Sequence, residues 1–290
     1  MTEVSIIILT YNSSRHITQL LESLIDKYFE QIKNTRLEII VADNSSQDDT
    51  TEKVLSIKNK VPNIKFVQNG GNVGFSKGNN LAAKKAKGDF LIFINPDSKF
   101  IKGDIFSLLS EFEDERVGIV GGRILDRNGK EELSCGKFYT ALNTLLLSIG
   151  LEEKLGIRFA PRGERKVDFV SGGFLAIRRE LFEKLRGFDE HYFMYIEDSD
   201  LCFRAKKLGF ETVFSPGATI EHEGQGSSNR SFAVINIFKG LVYFNKKHGG
   251  FLAHLFVKVM LTLKALLLVI IGKIINNKYL VDTYSRALRV

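Results

Sequence analysis

Three groups of side chains in this sequence have types and spacings that could do chemistry. The first centres on Asp97, in Asn95-Pro96-Asp97, directly after the apolar run Phe90 to Ile94. Such a run has the length and composition of a buried strand, and a proline behind it disfavours further ladder pairing. A carboxylate at that strand's end is where an open α/β sheet gathers a charged ligand or a metal. The second group is Glu197, Asp198 and Asp200, beside the aromatics Tyr192, Phe193 and Tyr195 and ahead of a predicted helix from Leu201 to Leu208. Acids there can simply complement a helix dipole. Asp198 against an aromatic wall is also a candidate general base, because partial desolvation raises a carboxylate pKa and makes it a better proton acceptor. The third is His222, between Glu221 and Glu223. A lone histidine is more often structural, but with Asp97 in reach it would complete an oxygen-and-nitrogen shell for a divalent cation.

These groups need strands and helices to position them. Val4 to Leu9 reads as a buried strand ending at Thr10-Tyr11-Asn12, and Ser13 and Ser14 are available as helix caps. Ile17, Leu20, Leu21, Leu24 and Ile25 then form one apolar stripe of a helix that packs on a sheet. Leu37 to Ala42 is a second strand delivering Asp43-Asn44-Ser45-Ser46, a second helix runs towards Lys60, and Ile64 to Val67 is a third strand. The loop from Asn69 to Phe75 contains Gly70, Gly71 and Gly74 and leads into a helix from Ser76 to Lys87. Glycines let backbone approach a ligand, and a helix start offers unpaired amides to phosphate. The loop matches neither the Walker nor the dinucleotide pattern, so its position carries more weight than its composition. Strand and helix alternate up to Asp97 in the manner of a parallel sheet wound by helices.

Beyond Asp97 the pattern loosens. A helix is predicted over 103–115, a strand over Val117 to Val120, a mobile loop from Leu125 to Arg165, and strands around Ser171-Gly172-Gly173. A short helix from Arg179 to Arg186 is capped by Gly187, and Glu211 to Ser215 is a further strand.

The 290 residues suffice for one large core or two fused lobes. Cys135 and Cys202 are isolated, so neither a disulfide framework nor a zinc site is suggested, which fits a reducing cytoplasm. The N-terminus enters a strand without a basic region or cleavage site, arguing against a secretory signal. The net charge of +7 is concentrated in one place: residues 246–290 hold eight Lys or Arg against one acid, Asp282. A basic tail on a neutral body suits nucleic acid or an anionic membrane.

Taken in order, Ile-Leu-Thr-Tyr-Asn at 8–12, Val-Ala-Asp-Asn-Ser-Ser at 41–46, Asn-Val-Gly-Phe at 72–75, Asn-Pro-Asp at 95–97, Gly-Phe-Asp-Glu at 187–190 and Glu-Asp-Ser-Asp-Leu at 197–201 make the chain resemble the family 2 glycosyltransferases of the GT-A fold. The likeness covers roughly residues 4–224 and is greatest to the bacterial rhamnosyltransferase branch. It implies a Rossmann-like α/β fold, a mixed sheet flanked by helices, with a C-terminal helical extension. Residues 1–98 would be the nucleotide-sugar half, 99–228 the acceptor and catalytic half, and 229–290 the basic extension.

The resemblance also implies roles. Thr10, Tyr11, Asn12, Asp43 and Asn44 would serve the nucleoside of a nucleotide-diphosphate sugar, with Lys77 and Asn79 assisting from behind the glycine-rich loop. Asn95 and Asp97 match the outer positions of the family's Asp-x-Asp motif, with Asn replacing the first acid and leaving less charge for a cation. Asp97 and His222 would hold Mg2+ or Mn2+, and Asp198 would be the base of an inverting, metal-dependent transfer to a glycan or polyprenyl-linked acceptor. The branch suggests a deoxythymidine-linked rhamnose donor and a place in O-antigen, capsule or cell-wall glycan synthesis. Nucleotidyltransferases of similar topology begin with a Gly-rich, Arg-bearing loop, where this chain has Thr10-Tyr11-Asn12. Processive synthases carry a Gln-x-x-Arg-Trp motif, and this chain has no tryptophan. A non-catalytic nucleotide-sugar-binding or regulatory protein on the same fold is the alternative; retention of Asp97 and Asp198 disfavours it.

Phe251 to Ile275 carries His254, Lys258 and Thr262 every four residues on an otherwise apolar helix. A span needs about 20 mainly apolar residues, and Lys258, Lys264 and Lys273 interrupt this one. The pattern suits an amphipathic helix lying on an anionic membrane surface, with the basic tail drawn to lipid, on the inner face of the plasma membrane. The competing readings are packing on the body and a homodimer contact. Nucleic acid is disfavoured because the basic residues lack interleaved stacking aromatics.

Overall fold

The computed structural model describes residues 2–224 and 229–290, so Met1 and the expected end of the acceptor half at residue 228 lie outside the described residues. The first half alternates as its apolar runs require: β1 (Val4–Thr10), α1 (Ile17–Lys33), β2 (Leu37–Asp43), α2 (Thr50–Lys58), β3 (Ile64–Gln68), α3 (Phe75–Ala83) and β4 (Phe90–Ile94). β5 (Ser98–Gly103) follows, although no strand is predicted there. Lys99 and Lys102 interrupt its apolar pattern, and it lies at the sheet's edge, where lysines are tolerated and block further pairing. The predicted helix over 103–115 shrinks to α4 (Phe106–Leu109) and a 3-10 turn.

Next come β6 (Val117–Leu125), β7 (Cys135–Gly136), α5 (Ala141–Ser148), β8 (Arg158–Phe159), β9 (Arg165–Val167) and β10 (Phe169–Val170). The stretch expected to be a mobile loop therefore holds two strands and a helix. Its strands are only two residues long, too short for a period to show in sequence, and they gain their order by pairing β10-β7-β8 as a small second sheet. β11 (Phe174–Arg178), α6 (Arg179–Lys184), α7 (Glu197–Lys207) and β12 (Glu211–His222) complete the body. The acids at 197–200 form the first turn of α7 rather than preceding it, and β12 continues through bulges to His222.

The main sheet runs β3-β2-β1-β4-β11-β6-β12-β5. β3, β2, β1 and β4 are mutually parallel, whereas β11 runs antiparallel between β4 and β6. Alternate residues of each strand feed opposite layers, as strand geometry demands. Ile6, Ile8, Ile39 and Val41 pack with Leu20 and Leu24 of α1 on one face. Ile7, Leu9, Ile40 and Phe93 pack with Phe188 and Leu201 on the other. This is the GT-A-type mixed sheet flanked by helices.

α8 (Arg230–Phe244), a π-helical turn (Asn245–Gly249), α9 (Gly250–Ile274) and α10 (Lys278–Ala287) form the C-terminal extension. α9 buries Val257, Leu261, Ala265 and Gly272 against its neighbours. Its opposite face is also apolar: Leu252 is 79% and Leu263 60% exposed. The polar stripe of His254, Lys258 and Thr262 thus flanks two apolar faces instead of opposing one.

Candidate active site

Strand register assembles the site. β12 pairs antiparallel with β5, placing His222 beside Ser98 and therefore next to Asp97. His222 Nε2 lies 3.2 Å from Asp97 Oδ1, and its Nδ1 lies 3.0 Å from Glu132 Oε1. Burial opposes a charged ring here, but the two carboxylates outweigh it and push the His222 pKa up to about 10. Asp97 is itself buried, which would raise its pKa; His222 overrides that and holds it below the usual carboxylate range. The Asn95 side-chain amide is 3.5 Å from the same ring nitrogen. His16 pairs with Glu223, whose backbone amide donates to the Asp97 carbonyl at 2.9 Å.

An oxygen from the turn before β5 and a ring nitrogen from the end of β12, facing each other, form a donor set that suits Mg2+ or Mn2+. Glu132 on the other ring nitrogen is the partner a metal-binding histidine ordinarily has. Among the described residues no group of three His, Cys, Asp or Glu side chains converges on one point. Among the described residues, Asp97 and His222 are the carboxylate and imidazole that would hold such an ion.

A cleft of about 370 Å³ opens over the strand ends, lined by Thr10, Tyr11, Asn44, Asn95 and Asp97. Phe75, Phe193, Met194, Asn229 and Phe232 form its apolar and outer walls. Asp43 is fully buried behind it: Oδ1 accepts from Thr10 Oγ1 at 2.8 Å and from Ser46 Oγ at 2.5 Å, and Oδ2 from Gln68 Nε2 at 3.1 Å. Asn44 is a pin for the glycine-rich loop, its Nδ2 donating to the Gly74 carbonyl at 3.2 Å and its Oδ1 accepting from Asn69 at 2.9 Å. Asn12 Oδ1 accepts from Gln47 N at 2.8 Å. Asn79 is buried and donates to the Phe75 carbonyl at 3.0 Å. Asn12, Asp43, Lys77, Asn79, Asp198 and His222 do not line this cleft.

Two amides expected to be open at the start of α3 are already used. Gly74 N–H donates to Asn72 Oδ1 at 3.2 Å, and Phe75 N–H donates to the Phe193 carbonyl at 2.6 Å. Gly74 has φ +85°, and a Cβ there would lie 2.6 Å from that same carbonyl oxygen. Glycine is required by both conformation and contact.

Asp198 lies one layer further along. β11 pairs with β4 so that Phe174 faces Ile94, and the Gly173 carbonyl accepts from Asn95 N–H at 3.1 Å. Gly172 N–H then donates to Asp198 Oδ2 at 3.1 Å, and Ser199 N–H to Oδ1 at 2.7 Å. Burial pushes the Asp198 carboxyl above the usual range, although Gly172 N–H and the nearby Arg158 guanidinium oppose this. Glu197 is pushed up further, by burial and then by Asp198's charge. Asp198 remains partly accessible.

The residues that sequence reasoning missed are Glu132, Arg158, Asn229 and Phe232. Glu132 and Arg158 sit in the irregular stretch, and Asn229 and Phe232 belong to the extension; neither region carries a local pattern that points to a site.

The model of glycosyl transferase family 2 matches residues 5–186, so the chain belongs to that family and is a glycosyltransferase. A second family model, the N-terminal domain of galactosyltransferase, matches residues 161–223. The chain is 29% identical over 280 residues to the N-acetylglucosaminyl-diphospho-decaprenol L-rhamnosyltransferase of Mycobacterium tuberculosis, covering 86% of this chain and 87% of that one. It is 28% identical over 240 residues to the rhamnosyltransferase WbbL of Escherichia coli, covering 79% and 86%. Among solved structures, GalNAc-T7 with UDP, GalNAc and Mn2+ has a TM-score of 0.61 at 18% identity, covering 85% of this chain and 48% of that one. The mannosyltransferase PcManGT of Pyrobaculum calidifontis, with GDP-Man and Mn2+, has a TM-score of 0.57 at 18% identity, covering 99% and 85%.

Proposed function

We propose that this glycosyltransferase is inverting and metal-dependent, and that it moves rhamnose from a nucleotide-diphosphate donor to a hydroxyl of a lipid-linked glycan. The observation that carries the reading is the backbone chain linking the two reactive centres: Asn95, beside the Asp97–His222 pair, bonds Gly173, and Gly172 bonds Asp198. Donor diphosphate and acceptor hydroxyl can then be held at opposite sides of one anomeric carbon. Asp198 takes the acceptor proton as that oxygen bonds to the anomeric carbon, the bond from carbon to diphosphate oxygen breaks, and the nucleoside diphosphate leaves with the electron pair. One such displacement inverts the anomeric configuration.

Asp97 and His222 would hold Mg2+ or Mn2+, which when bound offsets negative charge on the diphosphate. Thr10, Tyr11 and Asn95 face the donor directly. Asn12, Asp43 and Asn44 act by tying the strand ends and the glycine-rich loop together, and Lys77 and Asn79 support α3. Rhamnose and a lipid-linked acceptor are supported by the names of the mycobacterial and Escherichia coli relatives.

In this reading residues 1–98 bind donor, 99–228 bind acceptor and carry the base, and 229–290 face the membrane. The helical stretch Arg230–Ile274 is long and apolar enough to cross a bilayer, with mean hydropathy 2.3 in its most apolar window. One stripe of α9 is covered by protein, so the helix lies along the inner surface of the plasma membrane with its exposed apolar face in the lipid. The test is thermal stabilisation by dTDP-, UDP- and GDP-sugars with and without Mn2+, followed by the anomeric configuration of the product. Binding raises the melting temperature by mass action. A product that retains the donor configuration would overturn the mechanism, and stabilisation by another sugar nucleotide would replace rhamnose.

A further inference from the structure

The turn that carries the general base is held in an unfavourable conformation. Tyr195 and Ile196 are consecutive left-handed residues, with φ of 72° and 73°, directly before Glu197 and Asp198. For a β-branched residue such as Ile196 this region is a true outlier, and such geometry persists only where the surroundings over-determine it. Part of those surroundings belongs to the C-terminal helices.

Two contacts do the holding. α8 lies directly on the turn at Gly240, where a Cβ would meet Ile196 Cγ1 at 2.7 Å and the Tyr195 carbonyl oxygen at 3.2 Å. The second contact is ionic. Asp200 is fully buried in the first turn of α7 and is met by Lys247 Nζ and His248 Nε2, each at 2.7 Å. Lys247 Nζ also reaches Asp189 Oδ2 at 2.7 Å, so one ammonium ties Asp189, ahead of the aromatics, to Asp200, two residues beyond Asp198. Arg204, one turn along α7, already pairs with Asp200 at 2.6 Å. Lys247 is therefore not needed merely to neutralise that carboxylate; what it adds is the link to Asp189 and to the extension. The π-helical turn Asn245–Gly249 places Lys247 and His248 against α7 together.

We infer that Gly240, Lys247 and His248 are positioning residues that hold the turn 195–200 so that Asp198 is aimed at the acceptor hydroxyl. This rests on the proposed role of Asp198. The extension is then part of the catalytic apparatus as well as its membrane-facing surface.

The test compares Lys247→Met, Lys247→Arg and Gly240→Ala with the parent protein in full-length form. Hydrogen exchange is followed in peptides covering 171–173 and 195–200. Transfer is measured with whichever sugar nucleotide the stabilisation panel selects, and binding of its nucleoside diphosphate is measured separately. Lys247→Met and Gly240→Ala should speed exchange at both peptides and lower kcat about 10- to 100-fold, the scale of a small misplacement of a reacting group. Nucleotide affinity should stay within twofold, and Lys247→Arg should restore most of the rate. The added methyl would lie 2.7 Å from Ile196 Cγ1 and must displace it, while alanine's helix preference keeps α8 formed, so Gly240→Ala perturbs the turn itself. Parent-like exchange in both peptides for Lys247→Met and Gly240→Ala would overturn the proposal, as would unchanged kcat. Altered exchange in a protein whose parent transfers no sugar would sustain the clamp and remove the catalytic reading instead.

Discussion

The backbone amide of Gly172 donates to Oδ2 of Asp198 at 3.1 Å, joining the start of β11 to the first turn of α7. The same loop bonds Asn95 through the Gly173 carbonyl. Asp198 is thus linked through the loop 171–173 to Asn95, which lies beside the Asp97–His222 pair.

Asp198→Asn should lower transfer about 10²- to 10⁴-fold while leaving nucleotide binding intact. A raised carboxyl pKa means the base stays protonated, and idle, to a higher pH than an ordinary aspartate. The pH profile of kcat/KM, which reports groups of the free enzyme, should therefore fall as pH drops through a value above 3.8. Near-normal turnover in the variant, or an acid limb at or below 3.8, would remove Asp198 from the mechanism.

Glu132→Ala should weaken Mn2+ binding about 10- to 100-fold, because the carboxylate that orients His222 through Nδ1 is lost. Glu132→Gln, which keeps an acceptor, should fall between the two. Electron paramagnetic resonance of free Mn2+ measures this without turnover, and equal affinities in all three proteins would contradict it.

Asp189 and Asp200 are both held below the usual carboxylate range: burial pushes each upward, and Lys247 with His191 at the first and His248 with Arg204 at the second outweigh it. For a depressed folded-state pKa the stabilisation is fully present above the ordinary value of 3.8 and is lost as pH falls through the folded value. Thermal melts between pH 7 and pH 3 should show Asp200→Asn destabilised at neutral pH, by about 3–5 kcal/mol for breaking a buried pair, with the gap to the parent closing in acid. A gap that widens in acid would be incompatible with these ion pairs.

Val259→Gln with Leu263→Gln removes apolar surface without adding charge on the exposed face of α9, where these side chains are 49% and 60% accessible. Folding should be unaffected, since surface changes ordinarily stay within about 0.5 kcal/mol. Co-sedimentation with phosphatidylglycerol vesicles should drop sharply. Undiminished vesicle binding would show that the basic tail alone, or another surface, makes the contact.

Much of the donor half was legible in sequence because its strands are continuous apolar runs cut short by polar residues. Val4–Thr10, Leu37–Asp43 and Phe90–Ile94 each announce their own end, so Thr10, Asp43 and Asp97 could be placed at strand ends before any coordinates. The acids of 197–200 and the aromatics before them were equally visible as a group.

What the tertiary structure decided is which of these groups meet, and what each has left to offer. The Asp97–His222 pair depends on the β5–β12 register, and β5 has no apolar signature because it is an edge strand. Asp43 lies buried behind the cleft, held by Thr10, Ser46 and Gln68, while Asn44 both lines the cleft and is bonded by Asn69, arrangements that no local pattern reveals. Nor can an apolar helix reveal from its own sequence which surface it packs on. Phe232 reached the cleft, Gly240 the strained turn and Lys247 the buried Asp200 only once the chain had folded. Sequence periodicity records what each segment must bury; the partner it buries it against is a property of the whole packed chain.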